Sequence, residues 1–571
     1  MIMNRQLKTL AALLLLSLPL QAQQFETASE AISNMGVGWN LGNTLDAHSG
    51  EAMSDIVKSE TYWGQPVTQP ALMQMMKWAG FGAIRVPVTW YPHMDAAGRV
   101  DAAWMKRVHE VVDYVLNTGM YCILNVHHDT GADNDSHWLV ASMSDYNKVK
   151  ARYEGLWQQI AEEFRDYDQR LLFEAYNEML DKYNSWCFAS FNSPNKYNAA
   201  DAADAYEAIN SYAQSFVSTV RATGGGNAQR NLVVNTYGAC CGSGTWNAHL
   251  KEPLEQMLLP KDEVQNHLLF QIHTYPNVKN LSNMRTEMDG MFSALKTHLA
   301  DKGAPVIIGE WGTANDGEND YLVRRDHVLS YADYMVKKAK DYGFATFWWM
   351  GISDGSARSL PAFSQPDLAR TILQAYHGSD HNPHLRTTDD YDMTYTVNYT
   401  GQWQELNLCD YDVSMSNYKG IRLELLDVPQ SGSLSIKVYG ATDGKEQYLT
   451  VPQQLTTTLN FNATTLGTKA RRITLQYSKT GNYSIGVKSA TLIKKDGTEE
   501  PTTPSPFWGC TADVHATLKP TAIYSPHIGA TTPAASAAGT ATPVYNLNGQ
   551  RVASPLRRGI YISEGRRFVV R

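Results

Sequence analysis

Short apolar runs rich in β-branched and aromatic residues recur through the first two thirds of the chain: Val37 to Leu41, Ala83 to Val88, Cys122 to Val126, Leu171 to Tyr176, Leu232 to Tyr237, Leu268 to Thr274, Val306 to Gly309 and Ala345 to Trp349. Their starts lie roughly 35 to 60 residues apart, which leaves room for one helix and two loops between neighbours. Segments of helical period and helix-forming composition fill those intervals, from Pro70 to Ala79, Ala102 to Asn117, Lys148 to Arg165, Ala202 to Thr223 and Arg325 to Tyr342. Eight strands alternating with helices predict an α/β fold, a (β/α)8 TIM barrel over residues 23–378. A doubly wound sheet is the alternative, but no glycine-rich phosphate loop follows the first strand.

After Gly378 the period changes to two. Runs from Met393 to Tyr399, Ile421 to Leu426, Leu434 to Tyr439, Thr457 to Phe461, Arg472 to Tyr477 and Ser484 to Ile493 are separated by Gly, Asn, Asp and Pro, with no long helix between them. They predict an antiparallel β-sandwich over residues 379–497, an accessory carbohydrate-binding or cleft-supporting module. Trp403, Tyr391, Tyr395, Tyr399 and Tyr411 could form its binding platform, although tyrosines alternating along strands also make a core face. Residues 498–543, with Glu499 to Pro506 and the Ala/Thr/Pro/Gly-rich stretch Thr531 to Pro543, have the composition of linkers. Residues 544–571 form a short β tail with a basic finish.

At the other end, Arg5 and Lys8 precede the apolar run Leu10 to Leu20, and Ala22 follows at the position a signal peptidase prefers, so residues 1–22 are expected to be a secretory signal peptide. No later stretch has the ~20 apolar residues of a membrane span. Six Cys in 571 residues are not a disulfide framework; a bridge from Cys187 to Cys240 or Cys241 is the candidate, with buried or free thiols as the alternative. A net charge of −8 argues against a nucleic-acid partner. With only 19% charged residues against 14 Trp, 31 Tyr and 15 Phe, the surface suits an uncharged, hydroxyl-rich ligand whose ring faces stack on aromatic rings.

In a barrel the chemistry lies at the carboxyl ends of the strands. The polar residues that terminate the apolar runs are Asn40 and Asn43, Arg85, His127 and His128, Asn177 and Glu178, His273 and Tyr275, Glu310, and the rings of Trp348 and Trp349. Two carboxylates on one barrel mouth suit glycoside hydrolysis, in which one protonates the leaving oxygen and the other attacks or activates water. His127-His128-Asp129 invites a metal reading, but strand alternation would point the two rings to opposite sides, so they are expected to position substrate rather than chelate. Trp63, Trp90, Trp138, Trp246, Trp311 and Trp349 fall in or near the expected upper loops, as packing residues singly or as an elongated stacking cleft together.

The blocks Gly38-Trp39-Asn40-Leu41-Gly42-Asn43-Thr44-Leu45-Asp46, Glu60 to Pro66, Ile84 to Trp90, Asn125-Val126-His127-His128, Glu174-Ala175-Tyr176-Asn177-Glu178, His273-Thr274-Tyr275 and Ile308 to Gly312 occur in this order. Together they resemble the retaining glycoside hydrolases of family 5, in the branch of secreted bacterial endo-β-1,4-glucanases. The resemblance implies Glu178 as acid/base and Glu310 as nucleophile, with Asn43, Arg85, His127, His128, Asn177, His273, Tyr275 and Trp349 around the cleavage point, and it implies neither metal nor cofactor. It implies a β-1,4-linked polysaccharide as substrate, with endo-β-1,4-mannanase activity or an inactive carbohydrate-binding barrel as alternatives. Met350 stands where many relatives carry Asp, which touches the substrate contact of the eighth loop and not the chemistry. The last 30 or so residues resemble the sorting segments of Bacteroidota proteins exported by the type IX route, which implies an outer-membrane secretion apparatus as partner, passage through the periplasm and a secreted or cell-surface destination. A monomer is expected.

Overall fold

The computed structural model describes residues 24–131, 137–186, 197–244, 247–409, 413–440 and 445–519, and the backbone of four strands between 544 and 570. Residues 1–22, Cys187, Trp246 and Tyr411 lie outside the described residues.

Eight parallel strands close a barrel in sequence order. They are β1 (Val37–Asn40), β2 (Ala83–Val86), β3 (Tyr121–Asn125), β4 (Leu171–Glu174), β5 (Leu232–Asn235), β6 (Leu268–Thr274), β7 (Val306–Trp311) and β8 (Ala345–Trp348). Every residue of these strands is buried, one face against the helices and the other inside the barrel, which is why the runs read as continuously apolar rather than alternating. Inside, Ala83, Ile123, Leu172, Val233, Leu269, Ile307 and Phe347 pack with Ala31, Ile32 and Met35 of the helix Ala28–Met35. The crowding explains Gly38, where a Cβ would sit 2.2 Å from the Phe347 ring.

The helix Pro70–Ala79 has the expected bounds, with Pro at its first turn and Gly80 after its end. Ala102–Leu116 begins at Asp101, whose carboxylate accepts the Ala103 and Trp104 amides, and buries Trp104, Val108, Val111, Val112 and Val115 on one face. Three other helices start earlier than the periodicity suggested, at Met143, Ala199 and Tyr321, because Ser142, Asn198 and Asp320 cap them with side-chain oxygens. The helices Leu281–His298 and Pro366–His377 complete the outer ring. Cys240 is disulfide-bonded while Cys241 is a free thiol, which resolves the choice between the two.

The second unit contains β9 (Tyr391–Tyr399), β10 (Glu405–Cys409), β11 (Val413–Ser414), β12 (Tyr418–Leu425), β13 (Leu434–Gly440), β14 (Glu446–Thr450), β15 (Thr456–Asn460), β16 (Lys469–Tyr477), β17 (Tyr483–Lys494), β18 (Glu499–Pro501), β19 (Ser505–Trp508) and β20 (Cys510–Leu518). One sheet has the order β14-β13-β16-β10-β19 and the other β15-β12-β17-β9-β20. The expected boundary at 497 is therefore corrected. Residues 499–518 belong to the sandwich, and β20 pairs with β9 along its length from Cys510↔Tyr399 to Leu518↔Tyr391. The polar, proline-containing stretch reads as linker because β18 and β19 are short and lie at sheet margins, where Pro is tolerated. Of the two readings of the tyrosines the core face holds for Tyr395 and Tyr399, which are buried in the sandwich core, while Tyr391 is buried against Ala357, Leu360 and Ala362; Trp403 is exposed. The tail strands β21 (Val544–Asn546), β22 (Arg551–Val552), β23 (Gly559–Ser563) and β24 (Arg566–Val570) form a separate sheet of order β22-β21-β23-β24.

Among the described residues no helix is long and apolar enough to cross a membrane.

Candidate active site

The carboxyl ends of the barrel strands deliver Asn40, Asn125, Glu174, Asn235, His273 and Glu310, and the residues just past them add His127, Asn177, Glu178 and Tyr275. At the centre lies Arg85, wholly buried. Its Nε and Nη2 each donate to a Glu174 carboxylate oxygen at 2.7 Å. Nη1 donates to Glu310 Oε1 at 2.6 Å and to Asn40 Oδ1 at 3.0 Å, and Nη2 also reaches Asn177 Oδ1 at 2.8 Å. A guanidinium is donor-only, so the Asn177 atom facing it must be oxygen, which leaves the NH2 end of that amide turned away from Arg85.

Glu174 is also bonded by the amides of Asn125 and Asn235, each at 3.2 Å. Burial pushes its carboxyl up, but the Arg85 charge and hydrogen bonds outweigh that and hold it below the usual range.

Glu310 accepts the Tyr275 hydroxyl at 2.7 Å on the oxygen that Arg85 does not take. Glu178 stands across from it, with a side chain 23% exposed, and its Oε1 is 2.8 Å from His273 Nδ1. That same nitrogen is 3.6 Å from Glu310 Oε2. One oxygen of each glutamate and a ring nitrogen of His273 lie within 4.8 Å of one another. Desolvation raises Glu178 to about 7, with the Arg85 charge opposing, and burial lowers His273 to about 4. Near neutral pH the pair is therefore a neutral imidazole beside a carboxyl at the midpoint of its titration.

His127 accepts the Asn125 amide on Nδ1 at 3.0 Å, and its ring lies parallel to Trp349 with centroids 5.8 Å apart. Gly42 leaves room for that indole, since a Cβ there would come within 2.8 Å of it. The expected divergence of His127 and His128 is corrected. Both lie beyond the end of β3, where strand alternation no longer applies, and their rings meet edge to face at 4.5 Å. With Asp46 they bring three ligand-type atoms within 4.8 Å of one another. Burial keeps both imidazoles well below the ordinary histidine range. His128 is wedged between the rings of His48 and Trp63, at 5.1 and 5.2 Å.

Asn43 has φ +62°, and Asp46 holds that turn by accepting the amides of Asn43 and Thr44 at 3.0 and 2.8 Å. Among the described residues neither end of the buried Asn43 amide has a partner. Met350 is buried with Ala47 and Trp63, packed against Tyr62 and Trp349. The eighth loop thus supplies an apolar support for the Trp349 ring at that position.

Of the tryptophans expected above the barrel, Trp63, Trp90 and Trp311 are buried packing residues, and Trp138 is tied to Asp129 at 2.6 Å. Of the described members of the set, Trp349 alone stands in the mouth. Exposed rings come instead from Tyr183 and Trp186, on the loop after β4. The apolar-run reading passed over Glu174, Asn125, Asn235 and Asp46, which touch the site residues without standing at the reaction point. A carboxylate inside a run otherwise made of Leu, Leu and Phe was the signal available for Glu174.

The family profile described as Cellulase (glycosyl hydrolase family 5) matches residues 45–355. Endoglucanase A of Clostridium longisporum is 33% identical over 341 residues, covering 58% of this chain and 61% of that protein. Endoglucanase B of Neocallimastix patriciarum is 32% identical over 378 residues, covering 63% of this chain and 73% of that protein. Among solved structures, a broad-specificity endoglucanase from an uncultured bacterium is 55% identical with a TM-score of 0.61, covering 63% of this chain and 98% of that one. A glycoside hydrolase family 5 enzyme of Prevotella bryantii, solved with a xyloglucan tetradecasaccharide, is 43% identical with a TM-score of 0.55, covering 62% of this chain and 99% of that one.

Proposed function

The chain belongs to the cellulase family, glycosyl hydrolase family 5, and on that premise we propose that it is a retaining endo-β-1,4-glucanase acting by double displacement, with Glu310 as nucleophile and Glu178 as acid/base. The observation that carries the stereochemistry is the approach of the two carboxyls to within 4.8 Å through their nearer oxygens. Retaining enzymes hold the pair ~5 to 5.5 Å apart, whereas inverting enzymes need roughly 6.5 to 9.5 Å to admit a water.

The two roles follow from unlike surroundings. Glu310 receives a guanidinium and a phenol, both donors, and so is presented as an acceptor-only carboxylate aimed at the anomeric carbon. Glu178 has no cation in contact, and its neutral form donates a proton to the glycosidic oxygen as Glu310 attacks. Once the glycosyl ester forms, the Glu310 charge is gone, and Glu178, now deprotonated, takes a proton from the incoming water. His273, hydrogen-bonded to Glu178 and near Glu310, holds the acid in line during both steps. The NH2 of Asn177, turned away from Arg85, is placed for the sugar 2-hydroxyl, a contact that strengthens as the ring flattens. Trp349 supplies the stacking face beneath the ring.

The endoglucanase names of the relatives support a β-1,4-glucan backbone over mannan, and the xyloglucan complex of the Prevotella bryantii enzyme supports tolerance of a decorated chain. The test is a parallel assay on carboxymethylcellulose, lichenan, xyloglucan, glucomannan and xylan: release of reducing ends from the glucans is expected, and hydrolysis of glucomannan alone would overturn the assignment. The N-terminal segment and the tail support export to the cell surface or medium, with residues 544–571 as the sorting element and the enzyme acting as a monomer.

A further inference from the structure

The outer face of the sheet β14-β13-β16-β10-β19 does not look like the solvated side of a sandwich. On β13, Leu434, Ile436 and Val438 point into the core, so Ser435, Lys437 and Tyr439 point away from it. By register, Lys437 lies between Tyr448 on β14 and Thr474 on β16, and Thr474 lies opposite Asn407 on β10. Outward positions of an antiparallel sheet are ordinarily wet. Here Glu405, Asn407, Thr474 and Gln476 are between 0% and 4% exposed.

These buried groups form a polar floor. Glu405 accepts Tyr439 and Thr474 hydroxyls at 2.7 and 2.9 Å and the Gln476 amide at 2.8 Å, and Lys437 Nζ is 3.3 Å away. Among the described residues Asn407 Oδ1, on the same floor, has no partner.

The rim is aromatic. Glu405 pairs with Trp508 and Leu406 with Pro506, so Phe507 is an extra residue in β19. Such a bulge re-aims side chains, and two consecutive rings, Phe507 and Trp508, are left 43% and 59% exposed. Arg472 packs over Phe507 at 3.8 Å and fixes it on this face. At the opposite margin Tyr448 is 54% exposed, backed by Lys437 at 5.6 Å from its ring. Four strand spacings, about 19 Å, separate the two margins.

We propose that this face is a second binding site, for a β-linked glucan chain lying across the strands from Tyr448 to Trp508. Flat aromatic margins with a polar floor between them match a neutral polymer that has apolar ring faces and equatorial hydroxyls. Lys437 and Arg472 together balance Glu405 and Glu446, which leaves no surplus charge to recruit an ionic ligand. The ligand class rests on the glucanase reading of the barrel. The site would raise the local concentration of polymer at the barrel without taking part in its chemistry.

The experiment uses the full-length enzyme and a Trp508→Ala/Tyr448→Ala variant, whose truncated rings protrude from the face. Retardation in native gels containing hydroxyethylcellulose, lichenan or xyloglucan is expected to fall several-fold, and KM for those polymers to rise. Both kcat and kcat/KM on cellotetraose should stay within about twofold of wild type, and Trp508→Phe should keep most of the retardation. Single Trp508→Ser and Tyr448→Ser variants repeat the comparison should the double variant melt early. Undiminished retardation in every gel would overturn the proposal, as would a change confined to sedimentation, which would assign the face to a second copy of the chain. Failure of the wild type to cleave cellotetraose would count against the glucanase reading instead.

Discussion

Arg85 and Glu174 form a bidentate ion pair with both side chains fully buried, and the same guanidinium holds Glu310 at 2.6 Å. Glu174 thus fixes Arg85, and Arg85 fixes both the Glu310 carboxylate and the amide of Asn177. Removing the Glu174 carboxylate leaves a buried cation short of a partner, which typically costs about 3–5 kcal/mol. Glu174→Ala is expected to lower the unfolding free energy from urea titration by that amount and to reduce kcat by at least tenfold; Glu174→Gln should recover part of the stability. A Glu174→Ala enzyme with wild-type kcat would show that Arg85 needs no anchor.

The two glutamates should separate by chemical rescue. Glu178→Ala and Glu310→Ala are each expected to lose ~10²-fold or more in polysaccharide hydrolysis. Azide fills the vacated nucleophile position in Glu310→Ala and should give an inverted glycosyl azide, whereas in Glu178→Ala it should give the retained anomer. Release of the inverted anomer from wild type, followed by NMR, would exclude double displacement.

Glu178, raised to about 7 by burial, must be protonated for the first step. The working fraction falls as pH rises through about 7, so kcat/KM should decline on that limb. The same shift means that folding favours the protonated group: its contribution to stability is fully present below the ordinary pKa of 4.5 and is lost as pH rises through about 7. Buried Asp46, also raised to about 7, acts in the same direction. Melting temperature should therefore drop from pH ~6 to ~8 in wild type and drop less in Glu178→Gln. An unchanged slope in that variant would place the effect at Asp46.

Metal removal should leave activity intact. Both oxygens of Glu310 and Oε1 of Glu178 are engaged by Arg85, Tyr275 and His273, and the Arg85 charge opposes a second cation beside them. Asp46 is likewise engaged by two backbone amides. Turnover on lichenan after EDTA dialysis is the measurement; loss restored by one divalent ion would contradict it.

Truncation tests the tail. Because β20 runs to Leu518 and pairs with β9, the informative cut lies after Lys519 rather than at the end of β17. Purified enzyme ending there should keep wild-type turnover on a soluble β-glucan, while in its host it should accumulate in the periplasm. Normal surface appearance of the truncated enzyme would refute the sorting role. A cut after Lys495 should instead destabilise the sandwich, since it removes β18, β19 and β20.

The eight strands, their order and the gathering of Glu178 and Glu310 at strand ends were legible in the chain itself, because a buried parallel strand writes a local apolar run and a barrel gathers the polar residues that stand where such runs stop. The helix at Pro70–Ala79 was legible for the same reason, a local period with its own start and stop residues. What depended on partners distant in sequence was decided by the tertiary structure alone. Glu174 meets Arg85 across 89 positions, and although each is an odd charge in an apolar run, the local pattern does not name either as the other's partner. The rings of His127 and His128 converge because the chain has left β3, and Trp63, Trp90 and Trp311 are buried by elements far along the chain. The extension of the sandwich to Leu518 rests on pairing between β20 and β9, more than a hundred residues apart. Local pattern fixes which face of an element is apolar, whereas long-range contacts, whose cost is loop-closure entropy and whose gain is burial, decide what that face meets.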